Sequence, residues 1–200
     1  MKIIGINGSP HHQGDTTLLL QTALNAASGE GAETETLFVA KILEKLKTPF
    51  CTGCANPCPA ACYRGTAFEN ILKTLGTADG LLVGSPVYFG EISAQLKSFW
   101  DRTRRLRTEK KLLNVVGGGL SVGAARFGGQ ETTLQAIHNM MLVQGMIVVG
   151  DGYPDNDAGH FGAAAQHAAR KDEHGLKRAV ILGKRVATVA RATKSLRIGR

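Results

Sequence analysis

The 200-residue sequence has no stretch of about 18 consecutive apolar residues, which leaves no candidate for a membrane-spanning helix. Its start, Met1-Lys2-Ile3-Ile4-Gly5, is too short an apolar run for a signal peptide and has no small-residue cleavage site, so a cytoplasmic protein is expected. Repeats with a period of about 20–50 residues and low-complexity blocks are absent, which excludes solenoids and a largely disordered chain. Neither G-x-x-x-x-G-K-[ST] nor G-x-G-x-x-G occurs, so the two commonest nucleotide-phosphate loops are excluded. Acidic residues are scarce, 16 against 24 Lys and Arg, for a net charge of +8 and a pI near 9.5. The basic residues gather at Arg102–Arg107 with Lys110 and Lys111, and again from Lys177 to the end. No nucleic-acid motif accompanies either run. They are expected to be a solvated helix face and a tail, with residues 195–200 mobile, and neither nucleic acid nor membrane is an expected partner.

What is present suits one globular domain over residues 1–194, with 43% hydrophobic residues. An apolar run, a turn and a helical pattern recur in that order. Ile3–Ile6, Glu33–Val39, Leu81–Gly84, Leu112–Val116 and Met146–Val149 read as strands. Thr16–Ala27, Ser93–Arg105, Thr132–Val143 and about Leu176–Ala192 read as helices. Five strands alternating with helices predict an α/β fold with a parallel sheet covered on both faces. Between Gly150 and His174 the pattern fails, and an excursion near a ligand or an oligomer contact is expected there.

Three loops follow strands, where open α/β sheets bind ligands. In the first, Gly8–Thr17, the helix start offers unpaired N–H groups and Ser9, Thr16 and Thr17 offer hydroxyls, while Gly8 and Gly14 permit tight turns. Lacking a phosphate-binding lysine, this loop suits a terminal monophosphate; a plain capped helix is the alternative. His11 is open between phosphate and solvent, and His12 is expected to be exposed. The second loop, Gly84-Ser85-Pro86-Val87-Tyr88-Phe89-Gly90, sets two aromatics at a strand end, where they can contact a flat ring or cover the sheet. The third, Gly117-Gly118-Gly119, lets the backbone approach a ligand closely, and Gln130 and Glu131 either cap the next helix or touch that ligand.

All four cysteines lie together as C-x2-C-x3-C-x3-C: Cys51, Cys54, Cys58 and Cys62. A disulfide framework is not expected in the cytoplasm, and soft thiolates suit an iron–sulfur cluster or zinc; free or redox-exchanging thiols are the remaining reading.

Taken together, Gly8-Ser9-Pro10, Ser85–Gly90, Leu96–Arg102 and Gly128-Gly129-Gln130-Glu131 resemble the NADPH-dependent FMN reductase and iron–sulfur flavoprotein families, over about Lys2–Gly150. The resemblance implies a flavodoxin-like doubly wound five-stranded sheet of order 2-1-3-4-5. It implies FMN, with phosphate at Ser9, Gly14, Thr16 and Thr17 and the ring at Pro86, Val87, Tyr88, Phe89 and Gly90, near Gly118 and Gly119; His11 is a candidate cofactor contact beside the phosphate. It implies a [4Fe–4S] cluster on the four cysteines of the 51–62 loop. It implies NAD(P)H as electron donor, a small-molecule or protein acceptor, and a homodimer or homotetramer. Asp101 and Arg102 are expected to form an ion pair anchoring helix to sheet, and Trp100 to lie in the core or an interface. No side chain is expected as general acid or nucleophile, since His138, His160, His167 and His174 form no triad. An electron carrier without turnover is the main alternative, and a zinc-bearing DNA-binding regulator a third.

Overall fold

The computed structural model describes residues 1–197. Its elements follow the alternation expected from the sequence. Strand β1 (Lys2–Asn7) leads to helix α1 (Asp15–Gly29), strand β2 (Glu33–Phe38) and the short helix α2 (Val39–Glu44). After the cysteine loop come α3 (Ala67–Leu75), β3 (Gly80–Pro86), α4 (Ala94–Asp101) and α5 (Arg104–Thr108). Then follow β4 (Val116–Gly123), α6 (Gln130–Val143), β5 (Ile147–Val148), β6 (Ala163–Gln166) and α7 (Glu173–Ala192). Every strand pair is parallel and the order is β2-β1-β3-β4-β5, the flavodoxin-like arrangement.

Strands buried on both faces need apolar residues at consecutive positions, and β1 and β3 supply them. Ile3 and Leu82 turn toward Leu20, Leu24, Leu182 and Val186 on α1 and α7. Ile4, Ile6 and Val83 turn the other way, toward Phe68, Leu96, Phe99 and Ile137. The helices α1 and α7 touch closely because Gly183 has no side chain; a Cβ there would run into the Ala23 backbone.

Four expectations need correction. The strand placed at Leu112–Val116 begins only at Val116 and continues to Gly123, so Gly118 and Gly119 lie inside β4, fully buried beneath helices. The helix expected over Ser93–Arg105 breaks at Arg102–Thr103 into α4 and α5. The fifth strand position is split. β5 pairs with Val116 and Gly117, and β6 with Leu120–Gly123, so the excursion after Gly150 holds a strand of its own. The excursion is pinned by buried Arg178, which donates to Asp151 and, at 2.9 Å, to Asp157. Lastly, the tail expected to be mobile from Ser195 is docked through Arg197. That side chain is buried, donating to the Asp79 carboxylate at 3.3 Å and the Asn114 carbonyl at 3.2 Å. Residues 198–200 lie outside the described residues.

Candidate functional site

The carboxyl ends of β1, β3 and β4 meet at one edge of the sheet. Buried Asn7, the last residue of β1, organises the loop that follows. Its amide donates to Thr17 Oγ1 at 2.8 Å and its carbonyl oxygen accepts from Ser9 N at 2.9 Å. Ser9 Oγ in turn accepts from His11 N at 3.0 Å, and Thr17 Oγ1 donates to the His12 carbonyl at 3.0 Å. The loop ends at Gly14, the N-cap of α1, which has no side chain to cap the first-turn amides. The positive end of a four-turn helix and its open N–H groups therefore point at the loop, flanked by Ser9, Thr16 and Thr17. That arrangement fits a terminal phosphate. Of the two histidines, His11 is exposed and His12, which the sequence predicts to be exposed, is half-buried, edge-on to Phe38 with ring centroids 5.4 Å apart.

The second loop is bolted to the first. Ser93 Oγ donates to the Gly8 carbonyl at 2.5 Å and caps α4 by accepting from Leu96 N at 3.1 Å. Ser85 Oγ accepts from Ser93 N at 3.0 Å. Between them the chain makes a tight antiparallel turn, with Tyr88 and Glu91 exchanging backbone bonds of 2.9 and 3.1 Å. Both central residues are left-handed, Phe89 at φ +52° and Gly90 at φ +78°. Glycine adopts this freely, but phenylalanine is strained there, and strain of that kind gathers at ligand sites. Thr132 Oγ1 on α6 holds the turn through the Gly90 carbonyl at 2.6 Å. The result projects Phe89 and Tyr88 into solvent beside Pro86 and Val87. Exposed aromatics on a braced turn fit one edge of a flat ring.

The third loop differs from expectation. A Cβ on Gly118 would lie 2.9 Å from Leu182 and Val186, and one on Gly119 would lie 3.0 Å from Leu134 and 3.3 Å from His138. These glycines admit helices α7 and α6 to the sheet and do not face the site. The loop that does reach the edge is 124–129, after Gly123. Buried Gln130 ties it down, accepting from Gly128 N at 2.9 Å and donating to the Ala125 carbonyl at 2.6 Å. Exposed Arg126 and Phe127 from this loop line a groove of about 940 Å³, together with His160, His167, Lys171 and His174. His160, His167 and His174 are exposed, as expected. His138 is more enclosed, and burial pushes its imidazole below the ordinary range, opposed by a hydrogen bond to the Phe161 backbone.

Cys51 and Cys58 are half-buried, Cys54 and Cys62 exposed, and all four are free. Among the described residues, no three His, Cys, Asp or Glu side chains are grouped to hold a metal ion. The donor set of four thiols nevertheless fits an iron–sulfur cluster, and N–H donors already reach two sulfurs. Cys51 Sγ accepts from Gly53 N at 3.5 Å and Cys62 Sγ from Arg102 at 3.6 Å. Arg102 does not pair with Asp101, which binds Lys97 at 2.6 Å instead. Its buried guanidinium donates to the carbonyls of Thr48, Pro49 and Phe50, clamping the start of the cysteine loop. Next to Cys62, the buried Tyr63 hydroxyl has no partner among the described residues, and burial foremost, then the Cys58 thiol, pushes its pKa up to about 12. Trp100 is buried and donates to the Met140 carbonyl at 3.2 Å.

Asn7, Ser93, Thr132 and Arg102 thus brace the site without having been singled out for these roles in the sequence. A buried Asn ending an apolar strand was a signal for the first. The others act through contacts 40 or more residues away, apart from the cap Ser93 provides.

Comparison with known proteins places the chain in a family. The family model for NADPH-dependent FMN reductase matches residues 1–160. An iron–sulfur flavoprotein of Methanocaldococcus jannaschii is 48% identical over 197 residues, covering 97% of this chain and 100% of that protein. One from Methanosarcina thermophila is 38% identical and covers 88% of each chain. Among solved structures, a WrbA-like flavodoxin from Agrobacterium tumefaciens superimposes with a TM-score of 0.68 at 22% identity, covering 96% of this chain and 98% of that one; it shares the fold.

Proposed function

Because the chain belongs to the NADPH-dependent FMN reductase and iron–sulfur flavoprotein family, and so is a flavodoxin-like, FMN-binding oxidoreductase, we propose that it takes electrons from NAD(P)H and delivers them to a small molecule or an electron-transfer protein. Residues 1–194 act as one domain in this reading, with the cysteine loop at 51–62 as its second redox element. The observation that carries it is the convergence, on one sheet edge, of the uncapped start of α1 and the strained aromatic turn at Tyr88–Glu91.

The open amides of the first turn of α1, with Ser9, His11, Gly14, Thr16 and Thr17 around them, bind the phosphate of FMN. Pro86, Val87, Tyr88, Phe89 and Gly90 bind the ring, their backbone offering donors and acceptors to its polar rim. Gly118 and Gly119 take no part, since helices cover them. Cys51, Cys54, Cys58 and Cys62 hold a [4Fe–4S] cluster, which requires the loop to gather thiols that stand apart here. When bound, the flavin supplies two-electron chemistry and the cluster one-electron steps. The protein's work is to orient: Asn7 and Ser93 fix the phosphate loop, Thr132 fixes the aromatic turn, and Arg102 holds the cysteine loop and places a positive charge beside Cys62. No side chain needs to act as a general acid or nucleophile.

Turnover separates this reading from that of a carrier. Anaerobic protein supplied with FMN, NADPH or NADH and a soluble quinone should oxidise the nicotinamide over many cycles. Oxidation that stops at about one equivalent per flavin would contradict it.

A further inference from the structure

The start of α1 carries a charge of the wrong sign for a phosphate site. Asp15 is the first residue of the helix, directly after the glycine cap, and its carboxylate belongs to the turn whose open amides face the loop. A carboxylate is favourable at a free helix start but repels a phosphate bound at the same amides. This carboxylate is not left to swing over them. His167, which follows β6 and is 152 positions away in the sequence, contacts Asp15 Oδ2 through Nδ1 at 2.6 Å. His167 is itself fixed by its backbone, since its N–H donates to the Gly123 carbonyl at 2.8 Å and extends the β4–β6 ladder. Its side chain is 72% exposed and that of Asp15 is 24% exposed, so the pair forms no part of the core.

We propose that His167 is a positioning residue of the phosphate site: by its hydrogen bond it holds the Asp15 carboxylate aside, so that the first turn of α1 accepts a phosphate. The inference rests on the FMN reading above and assigns a role to the split fifth strand. The upper segment, β6, pairs with the carboxyl half of β4 and thereby delivers His167 to the far side of the sheet edge, beside α1. Other charged or titratable groups line the same groove as His167: Arg126, Glu131, Lys171, Asp172 and His174. Asp172 is engaged with the Gln166 and Gly175 amides, which leaves Asp15 as the carboxylate that His167 contacts.

The test compares FMN with riboflavin, which lacks the phosphate. Dissociation constants are measured by flavin fluorescence quenching for the wild type, His167→Ala, Asp15→Asn and the double variant. His167→Ala should weaken FMN about tenfold, the scale of a charge contact largely screened by water, and leave riboflavin unchanged. Asp15→Asn in that background should restore FMN affinity, because the unheld charge is gone. Equal weakening of both flavins, no weakening of FMN, or failure of Asp15→Asn to rescue would each overturn the proposal. If the wild type does not prefer FMN to riboflavin, phosphate binding at α1 is itself wrong, and the proposal falls with it. Both side chains lie outside the core, and a thermal melt of each variant confirms that folding is retained.

Discussion

Tyr63 shows how a single residue beside the cysteine loop constrains the protein's behaviour. Its ring packs edge-on against Phe68, with centroids 5.5 Å apart, while its buried hydroxyl has no partner among the described residues. A buried donor without an acceptor loses its bond to water and gains nothing in return. Tyr63→Phe should therefore be at least as stable as the wild type near neutral pH, by up to about 1 kcal/mol. The alkaline limb gives a second readout. With its pKa raised from 10.0 to about 12, Tyr63 stays protonated in the folded protein while an unfolded tyrosine ionises. The folded state then binds more protons between those two values, so stability is fully present below pH 10 and falls as pH rises toward about 12. Urea midpoints across that range should fall less steeply for Tyr63→Phe; identical slopes would show that Tyr63 ionises like a free phenol. Arg102 belongs to the same scale. In the sequence it sits beside Asp101 and reads as half of an ion pair, yet it reaches about fifty residues back to the Thr48–Phe50 carbonyls. Nothing local in the sequence signals a partner at that separation.

At the scale of elements, the strands were legible wherever burial on both faces forces an apolar run, as in β1 and β3. The exceptions have physical causes. The three glycines of β4 look like a loop because glycine is usually punctuation. Here they are mid-strand residues that let Met141, Leu182, Val186 and Leu134 approach the sheet. β6 reads Ala163-Ala164-Ala165-Gln166, a composition with little strand preference, and it exists because β4 offers an unpaired carboxyl half that β5 is too short to cover. The glycine reading can be tested directly. Gly118→Ala sets a methyl 2.9 Å from Leu182 and Val186 and should cost about 1–3 kcal/mol of stability, the usual range for overpacking, with FMN affinity unchanged. Denaturant melts and flavin titration on the same variant check both halves. A loss of FMN affinity with unaltered stability would return Gly118 to the binding site.

For the whole molecule, the parallel sheet and the edge that carries the candidate site followed from the alternation of strands and helices, because crossovers bring the carboxyl ends of parallel strands to one edge, whereas the order 2-1-3-4-5 was implied only by the family resemblance. The phosphate and aromatic loops were legible for the same reason: each follows a buried strand directly. The braces were not, since Ser93, Thr132 and His167 act across the assembled edge, and only folding brings them to loops far away in the chain. The four cysteines sit on the opposite kind of element, a long loop between α2 and α3 whose form the sheet does not dictate.

The central claim is a flavin on this edge and a cluster in that loop. Its most direct test is the absorbance spectrum of protein purified without oxygen, with flavin, iron and sulfide assayed in the same sample. The spectrum should show flavin bands with about one FMN per chain and a broad shoulder at about 400 nm, with about four irons, the number that four thiolates hold in a cubane cluster. Flavin without iron, even after anaerobic reconstitution, would contradict the cluster and leave the sheet edge as read. No flavin, even after addition of FMN, would contradict the account at its centre.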